Sequence, residues 1–583
     1  MTKSTFPIKT IEAEFCVVGG GMAGLCAALA AARNGTKTVL VQDRPVLGGN
    51  ASSEIRMWIC GATGPENDKP ESRETGILEE LFLSNRYHNP MRLYPAWDHI
   101  LYGACLEQDN LTTLLNCTVH DLTMQDNRIA AIQAWHLTQQ CRYEISAPLF
   151  ADCSGDSVLH VSGAETRWGR EAKDEFDEDH EPETADRKTM GNSILIQLRE
   201  TDRHIPFTPP NWAYHYTEDT VPNRNLQPDG GNFWWLEVGG TQDTIADADS
   251  IRDELLKIAY GIWAYIKNHP DGRGRNWELD WIGSLPGKRE NIRYVGDYIL
   301  TQNDIEAEGR FEDLVAFGGW TMDDHHPDAI EYPGNPPTIH HPAPSPYGIP
   351  YRCLYSRSIE NLFCAGRNIS VTHMALSSTR VMATCAVMGQ AVGTAAAIAS
   401  AHELTPRRVY RNRIDELKTT LMEQDCYLPW HTRTIPPLSR EAELSASSGN
   451  PQPLLDGIER DLNGTDHGWW GGPDDWVAYT WNREIYATKL RLVLDSDMAR
   501  EKEMLCRYPK DQEPAAMPRM LARQLAIDVR NENGEWTEVC RLNDNHNRLI
   551  TVEMSGEPIN CCCLRILQTW GGDSAHVFGF DVT

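Results

Sequence analysis

Residues 15–24 read Phe-Cys-Val-Val-Gly-Gly-Gly-Met-Ala-Gly, a short apolar run that passes directly into glycines. The run predicts a buried strand, and Gly19, Gly21 and Gly24 match the G-x-G-x-x-G pattern of a strand-to-helix turn. In that pattern the first glycine permits the tight turn, the second lets the backbone approach a pyrophosphate, and the third lets the helix pack closely on the strand. The start of the helix then presents free N–H groups to phosphate. The stretch therefore predicts a dinucleotide site in an α/β fold.

The residues after the turn complete a β-α-β unit. An alanine-rich helix is predicted over Leu25 to Asn34, Gly35 suits the left-handed position after a helix end, and a second strand follows at 38–42. A carboxylate that binds the ribose is expected about 20 residues beyond the glycines. By spacing this position is Gln42, with Asp43 next to it, so the predicted ribose contact is one of these two side chains.

Three further segments indicate which dinucleotide is bound. They are residues 44–56 (Arg-Pro-Val-Leu-Gly-Gly-Asn-Ala-Ser-Ser-Glu-Ile-Arg), residues 150–156 (Phe-Ala-Asp-Cys-Ser-Gly-Asp), and residues 361–370 (Asn-Leu-Phe-Cys-Ala-Gly-Arg-Asn-Ile-Ser) with 377–382 (Ser-Ser-Thr-Arg-Val-Met). Together with the glycine turn, these segments resemble the FAD-dependent oxidoreductases of the two-dinucleotide-binding, glutathione-reductase-like type. The resemblance covers about residues 12–165 and 280–400.

The resemblance implies that FAD is the cofactor. The double-glycine segment would run along FAD towards the isoalloxazine ring, and a small-residue helix would begin beneath the ring, with Ser377 to Thr379 as its N-cap candidates. The start of that helix would stabilise negative charge on the reduced ring, and Arg380 would add a positive charge. The implied cofactor-binding residues are Gly19, Gly21, Met22, Ala23, Gly24, Gln42, Asp43, Arg44, Gly48, Gly49, Asn50, Ser52, Ser53, Arg56, Val119, Ser154, Gly155, Gly366, Arg367, Ser377, Arg380, Val381 and Met382.

The predicted fold class is an α/β Rossmann-like FAD-binding domain with an inserted α+β substrate domain, followed by a C-terminal β-sandwich. The FAD-binding domain would span 12–165 and return at 351–435, and the insertion, with a mixed sheet, would span 166–350. A stretch of Ser, Pro, Gly and Asn predicts a linker over 436–453. Short β-like runs over 454–583 predict the sandwich, which resembles a galactose-binding or discoidin-like module by its pattern.

Bulk composition limits the partners. With 83 acidic and 54 basic residues, the formal net charge of −29 disfavours nucleic acid and anionic membrane surfaces. No window approaches about 18 consecutive apolar residues, and the polar leader runs straight into the first strand, so we expect a soluble cytoplasmic protein. The sixteen cysteines lack metal-ligand spacing, so we expect mostly buried free thiols and no metal.

Two features of the insertion have competing interpretations. The acidic stretch 174–183 is expected to be a solvated loop, because like charges at that density repel one another. The aromatic cluster 233–235 is either a half-buried strand or a platform for stacking a sugar. Because neighbouring residues on a strand face opposite sides, we favour the core interpretation.

Candidate catalytic residues come from segments that the architecture should bring near the flavin. His373 is the first choice for a base, since an imidazole near its ordinary pKa can accept a hydroxyl proton. Arg380 would lie at the start of the flavin helix, and His326 lies in a Pro-rich region that resembles the substrate-side covering of the family. Arg289 and Arg293 either hold a substrate carboxylate or pair with nearby acids.

Three functions remain open at this stage. The main hypothesis is an FAD-dependent dehydrogenase or oxidase that transfers hydride between flavin N5 and a small polar substrate, with CH–OH oxidation of a carbohydrate or polyol as the leading example. The second is a flavin-dependent reductase of an activated C=C bond in a carboxylate substrate. The third is a non-catalytic FAD-containing protein that binds ligands through its sandwich. The sequence leaves open whether the chain forms a homo-oligomer.

Overall fold

The computed structural model describes residues 6–65, 68–221, 224–332, 336–498 and 503–583. The chain divides into two compact units. The first comprises Met1–Glu66, Met91–Leu417 and Lys502–Glu513, and the second comprises Asn67–Pro90, Lys418–Glu501 and Pro514–Thr583. Residues 1–5 of the predicted polar leader lie outside the described residues.

The strands of the first unit are β1 (Ile8–Glu12), β2 (Phe15–Val18), β3 (Thr38–Val41), β4 (Leu111–Leu114), β5 (Cys117–Gln125), β6 (Arg128–His136), β7 (Cys141–Ser146), β8 (Leu149–Asp152), β9 (Thr166–Arg167), β10 (Asn192–Ser193), β11 (Ile196–Glu200), β12 (Glu237–Val238), β13 (Trp277–Ile282), β14 (Gly287–Lys288), β15 (Arg293–Tyr294), β16 (Leu314–Gly318), β17 (Met322–His325), β18 (Thr338–His341), β19 (Tyr347–Pro350) and β20 (Leu362–Cys364). The α-helices of the described residues are α1 (Met22–Arg33), α2 (Ile77–His88), α3 (Tyr94–Leu106), α4 (Lys173–Phe176), α5 (Ala248–Lys267), α6 (Gln302–Glu306), α7 (His373–Thr379), α8 (Met382–Ala401), α9 (Pro406–Glu423) and α10 (Pro437–Glu441).

A five-stranded parallel sheet of order β20-β8-β2-β3-β4 lies at the centre of the first unit. Strand β2 pairs with β3 from Phe15 opposite Thr38 to Val18 opposite Val41, and with β8 on its other side. All four residues of β2 are buried, as expected for a parallel strand covered on both faces. The glycine turn follows the carboxyl end of β2, which is where open α/β sheets bind their ligands.

Helices α1 and α8 pack against each other through small residues. A Cβ atom at Gly389 would overlap the carbonyl oxygen of Ala23, and one at Gly393 would overlap that of Ala27. Glycine therefore lets the two helix backbones approach closely. Among the described residues, α8 is the one helix long and apolar enough to cross a membrane, and 94% of its apolar window is buried inside the protein. This burial accounts for its composition as that of a core helix.

The inserted region surrounds helix α5 with short strands. Strand β10 lies between β12 and β14, and β17 pairs with β18. The apolar face of α5 belongs to a buried cluster that includes Phe233 and Trp235. These two aromatic residues lie in the core, as favoured, but in a turn rather than in a strand.

The strands of the second unit are β21 (Glu443–Ala446), β22 (Trp469–Gly471), β23 (Trp476–Tyr486), β24 (Lys489–Leu494), β25 (Ala522–Arg530), β26 (Trp536–Leu542), β27 (Leu549–Glu553), β28 (Pro558–Thr569) and β29 (Ala575–Val582). They form a five-stranded sheet of order β21-β23-β28-β25-β26 and a four-stranded sheet of order β22-β29-β24-β27. One apolar cluster joins both sheets and includes Tyr479 and Phe580. The predicted β-sandwich is therefore confirmed.

The predicted linker over 436–453 is wrong. Helix α10 begins at Pro437, where the missing N–H costs nothing because the first turn has no partner for it. Strand β21 follows and pairs with β23, from Glu443 opposite Thr480 to Ala446 opposite Val477. The stretch therefore belongs to the sandwich.

The acidic stretch 174–183 is only partly solvated, which corrects the prediction of a loop in water. Glu178 and Glu181 are buried. The Thr372 hydroxyl donates to Glu178 at 2.7 Å, and the Met374 N–H donates to Glu181 at 2.9 Å. Each donor binds one oxygen of a buried carboxylate that the density of acidic residues had suggested was exposed.

All sixteen cysteines are free, and fourteen of them are buried. Burial raises the pKa of Cys105 to about 11 and that of Cys117 to about 12. Such thiols stay protonated and unreactive at neutral pH. The prediction of mostly buried free thiols is confirmed.

Candidate active site

The glycine turn opens into a cavity of about 460 Å³ in the first unit. Gly48 donates its N–H to the Gly20 carbonyl at 2.8 Å, which places the double-glycine segment beside the turn. A Cβ atom at Gly21 would meet only the Cα of Gly49, 4.0 Å away. The two backbones therefore leave room for a ligand to approach them closely.

Most of the predicted cofactor-binding residues line this cavity. They are Gly19, Gly21, Met22, Ala23, Gln42, Asp43, Arg44, Gly48, Gly49, Asn50, Val119, Ser154, Gly155, Gly366, Arg367, Arg380, Val381 and Met382. The predicted residues outside the lining are Gly24, Ser52, Ser53, Arg56 and Ser377. Gly24 serves the turn itself, because a Cβ atom there would overlap the Gly19 carbonyl oxygen.

Gln42 fixes the turn, and Asp43 faces the open cavity. The amide oxygen of Gln42 accepts the Gly20 N–H at 2.7 Å, and its amide nitrogen donates to the Val46 carbonyl at 3.2 Å. The Gln42 side chain is buried, whereas that of Asp43 is 55% exposed. Of the two candidates for the ribose contact, Asp43 is therefore the better placed.

Arg56, Ser52 and Ser53 support the cavity wall rather than line it. The Arg56 guanidinium donates to the Gln197 side chain at 2.6 Å and stacks on an indole ring 4.5 Å away. The Ser52 hydroxyl donates to the Gly49 carbonyl at 2.7 Å. Ser53 donates its backbone N–H to a carboxylate of α3 at 2.9 Å. Their predicted direct contact with the cofactor is replaced by bonds within the chain.

Helix α8 begins at the cavity. Val381 is its N-cap residue and provides no side-chain cap, and Arg380 and Met382 line the cavity beside it. A helix start favours negative charge, although here the Ala383 N–H already donates to the Cys60 carbonyl at 2.9 Å. The predicted N-caps are wrong, because Ser377 to Thr379 lie in the separate helix α7, where the Ser377 hydroxyl donates to the Met374 carbonyl at 2.6 Å.

An ion cluster that sequence reasoning missed also lines the cavity. Asp156 contacts the Lys288 ammonium at 2.6 Å and the Arg367 guanidinium at 2.5 Å, and Arg367 donates to the Gly155 carbonyl at 2.9 Å. Burial alone would raise the pKa of Asp156, but the two cations outweigh burial and lower it. The sequence did offer a sign of this cluster, because Asp156 is the acidic residue that ends the Ser-Gly-Asp segment.

A second group of charged side chains lines another part of the cavity: Arg289, Asp323, His325, His340 and Arg380. His325 lies between two carboxylates. Its Nδ1 is 2.6 Å from Oε2 of the buried Glu237, and its Nε2 is 3.4 Å from Oδ2 of Asp323. Arg289 contacts Glu237 at 3.4 Å, and Arg380 contacts Asp323 at 3.1 Å. Each arginine is therefore paired with one carboxylate.

The electrostatics of this group keep both carboxylates ionised. Burial would raise the pKa of Glu237, but Arg289 and His325 lower it below its usual range. Burial would also raise the pKa of Asp323, but His325 and Arg380 lower it strongly. The two carboxylates and the two guanidinium groups therefore balance one another in charge.

His373 lies behind the cavity and does not line it, contrary to the prediction of a base. Its side chain is buried, with Nδ1 3.0 Å from Glu290 and Nε2 3.4 Å from Asp324. Burial would lower the pKa of His373, but the two carboxylates raise it well above its usual range. Because the imidazole does not reach the cavity, His373 cannot contact a substrate there, and the predicted role as a base is wrong.

Arg293 and His326 also lie away from the cavity. Arg293 is 1% exposed and contacts Glu171 at 3.3 Å. Of the two roles predicted for it, it therefore pairs with a nearby acid and does not hold a substrate carboxylate. His326 stacks on Tyr332 with ring centroids 3.8 Å apart. Since neighbouring residues of an extended chain face opposite sides, His325 rather than His326 faces the cavity.

In the second unit, Asp461, Asp466 and His576 bring their ligand atoms within 4.8 Å of one another. The imidazole already contacts Asp466 at 3.0 Å through Nε2 and Asp495 at 3.1 Å through Nδ1. Both ring nitrogens are therefore occupied, and we assign no metal to this group.

A family model described as FAD dependent oxidoreductase matches residues 14–421. The chain belongs to this family. It is therefore an FAD-dependent oxidoreductase, and FAD is its cofactor. No curated protein matches the chain.

Solved structures resemble each part of this oxidoreductase. A geranylgeranyl bacteriochlorophyll reductase-like protein from Thermoplasma acidophilum is 12% identical, with 72% of this chain and 85% of that chain covered and a TM-score of 0.34. Quinol fumarate reductase FrdA of E. coli, in a mutant form, is 13% identical, with 71% and 75% covered and a TM-score of 0.28. The family 32 carbohydrate-binding module of Streptococcus pneumoniae EndoD is 9% identical, with 25% and 97% covered and a TM-score of 0.20. These values are too low to support an argument on substrate or ligand.

The cavity residues fit FAD. The space between Gly21 and Gly49 would take the pyrophosphate, Asp43 would bind a ribose hydroxyl, and the uncapped start of α8 would face the pyrimidine end of the flavin. When bound, FAD supplies a two-electron acceptor or donor. The chain supplies the charges and proton-transfer groups around it.

Proposed function

We propose that this oxidoreductase oxidises a CH–OH group of an uncharged, polyhydroxylated substrate, a carbohydrate or polyol, with His325 as the proton acceptor. The observation that carries the proposal is the pairing of Arg289 with Glu237 and of Arg380 with Asp323. A substrate carboxylate would have to compete with a carboxylate already in place at either arginine. A neutral substrate requires no such exchange.

The contacts of His325 suit a base. Donation from Nδ1–H to Glu237 at 2.6 Å would fix the tautomer and leave Nε2 free to accept the hydroxyl proton. Asp323, 3.4 Å from Nε2, would stabilise the imidazolium that results. Arg380 holds Asp323 in place at 3.1 Å. The arrangement thus binds the proton that the hydroxyl group loses when it becomes a carbonyl.

Aromatic side chains in the cavity offer apolar surfaces on which a sugar ring could stack. Trp234 and Trp320 both line the cavity, and the Trp234 ring meets the His325 ring edge-on with centroids 5.4 Å apart. Indole faces stack on the apolar C–H faces of sugars, while polar groups bind the hydroxyls. This combination beside the proposed base favours a polyol over a hydrocarbon-like substrate.

A reductase of an activated C=C bond is the second candidate, because two arginines line the cavity. In such an enzyme Arg289 would bind the substrate carboxylate. Arg289 instead donates to the Ser193 hydroxyl at 2.8 Å and to the Trp234 carbonyl at 2.9 Å, besides its contact with Glu237. These bonds within the chain occupy the guanidinium and weigh against this reading.

An anaerobic screen of the FAD-loaded protein tests the proposal. Bleaching of the flavin absorbance by sugars or polyols is the expected result, and the reduction should slow by about 100-fold in His325→Gln, the scale of a lost general base. His326→Gln is the matched control, because its neighbouring imidazole stacks on Tyr332 outside the cavity. Reoxidation of reduced flavin by enoates, with no polyol reaction, would favour the reductase instead.

A further inference from the structure

His373 connects separate segments of the chain behind the cavity. It is the first residue of α7, the helix that ends immediately before Arg380, and the residue is 1% exposed. Its Nδ1 lies 3.0 Å from Glu290 Oε1, and its Nε2 lies 3.4 Å from Asp324 Oδ1. One imidazole therefore contacts two carboxylates from distant parts of the sequence.

Each of these carboxylates is the chain neighbour of a residue that lines the cavity. Glu290 follows Arg289, and Asp324 lies between Asp323 and His325 on β17. On β17 alternate residues point to opposite sides, so Asp323 and His325 face the cavity while Asp324 faces back. Arg289 likewise lines the cavity, whereas the buried Glu290 does not. A group that binds both carboxylates thereby fixes the distance between the two segments.

We propose that His373 is a positioning residue whose imidazole holds, from behind, the segments that present Arg289, Asp323 and His325 to the substrate. The inference rests on the proposed function of those side chains and adds a role for a residue outside the cavity. The backbone of His373 is itself held in place, because its N–H donates to the Glu171 carboxylate at 2.8 Å.

The charge of His373 suits this role. Burial would lower the pKa of His373, but Glu290, Asp324 and Glu181 together raise it well above its usual range. This raised pKa favours the charged imidazole, which offers an N–H to each carboxylate. A neutral replacement would leave the buried Glu290 and the partly exposed Asp324 to repel each other, which would push β17 and the 287–290 segment apart.

Small displacements in such a site have large kinetic effects. A misplacement of about 1 Å in catalytic geometry costs about 100-fold in rate. Substrate binding, which depends on the cavity wall as a whole, should change much less. The proposal therefore predicts a large change in kcat and a small change in KM and in the affinity for FAD.

The test compares His373→Gln with wild type. We expect kcat to fall about 100-fold, with KM and the FAD dissociation constant within about twofold. Pairing His373→Gln with Glu290→Gln removes the unpaired carboxylate and should recover about tenfold of the lost rate. An unchanged kcat would overturn the proposal, and so would a parallel loss of FAD affinity, because that result would mean general damage to the fold.

A second readout requires neither FAD nor turnover. In the FAD-free protein, the proton between His325 Nδ1 and Glu237, 2.6 Å apart, should give a low-field ¹H NMR signal. His373→Gln should shift or remove that signal, whereas the control His402→Gln, on the far end of α8, should leave it in place. An unmoved signal overturns the positioning role. If wild type fails to react with any polyol while the signal still moves, the proposed substrate class fails and the positioning role stands.

Discussion

Replacing Glu237 by glutamine should disable His325 without enlarging the cavity. Glu237 is 1% exposed and accepts the Gly191 N–H at 2.8 Å through one oxygen. Its other oxygen meets Nδ1 of His325 at 2.6 Å and Arg289 at 3.4 Å. Glutamine has one acceptor oxygen, so Glu237→Gln must turn its NH₂ group towards either the Gly191 N–H or the His325 and Arg289 donors. One set of donors then loses its acceptor.

The size of the effect follows from the lost contacts. A hydrogen bond to a charged group contributes about 1.5–3 kcal/mol, and the wrong histidine tautomer would add to the loss. A total of about 2–4 kcal/mol lost in the transition state corresponds to about 30- to 1,000-fold in the rate of flavin reduction. The buried Arg289, left without its counterion, should also lower the free energy of unfolding by about 3 kcal/mol.

Stopped-flow absorbance under anaerobic conditions measures the rate of flavin reduction directly. Asp313→Asn is the matched control, because Asp313 is a fully buried carboxylate that pairs with Arg352 at 2.9 Å and does not line the cavity. The control should lose stability while keeping a reduction rate within about threefold of wild type. If Glu237→Gln keeps FAD and reduces it within about threefold of the wild-type rate, Glu237 does not orient the base and our reasoning is refuted.

Three further changes test the packing and electrostatics of the chain. Gly393→Val places a side chain against the Ala27 carbonyl and should cost about 1–3 kcal/mol, seen as a lower Tm; an unchanged Tm would contradict the helix packing. Burial raises the pKa of Glu181 to about 7, above its unfolded value, so its contribution to stability falls as pH rises from about 4.5 to 7. The free energy of unfolding of Glu181→Gln, measured with urea, should therefore equal that of wild type at pH 4 and exceed it by up to about 3 kcal/mol at pH 8. Equal free energies of unfolding at pH 8 would refute this. Arg433→Met leaves the buried Asp581, now 2.5 Å from Arg433, without this partner and should cost about 3–5 kcal/mol, whereas a loss below about 1 kcal/mol would show the pair to be dispensable.

Most residues predicted to bind the cofactor line one cavity, because that part of the cavity is built from backbone. Gly21, Gly48 and Gly366 line the cavity and matter because they have no side chain. Their positions in the sequence therefore predict where the backbone turns. The same holds for the small residues of α8, whose composition reflects its close packing on α1. In these segments the local sequence pattern is therefore enough to predict what the residues do in the structure.

The substrate end is predicted poorly, because its geometry depends on which side of a strand each residue faces. His325 and His326 are neighbours with equal chemical promise, and only the register of β17 decides between them. Glu237 stands alone after an aromatic turn, with no motif around it. His373 follows the Ala-Gly-Arg segment, but the separate helix α7 was not predicted, and Glu290 and Asp324, the acids that contact its ring, come from segments more than 40 residues away.

Electrostatics at two length scales favour the same kind of substrate. The net charge of −29 repels anions over the surface as a whole, although at physiological ionic strength that field decays within about 8 Å. Close to the base, the local pairs therefore decide, and Glu237 and Asp323 already neutralise the two arginines. An anionic substrate would be repelled by the protein surface, and in the cavity it would find both arginines already paired with carboxylates. A neutral polyol meets neither obstacle, and its hydroxyl hydrogen bonds suit a wall of paired charges that needs no further counterion.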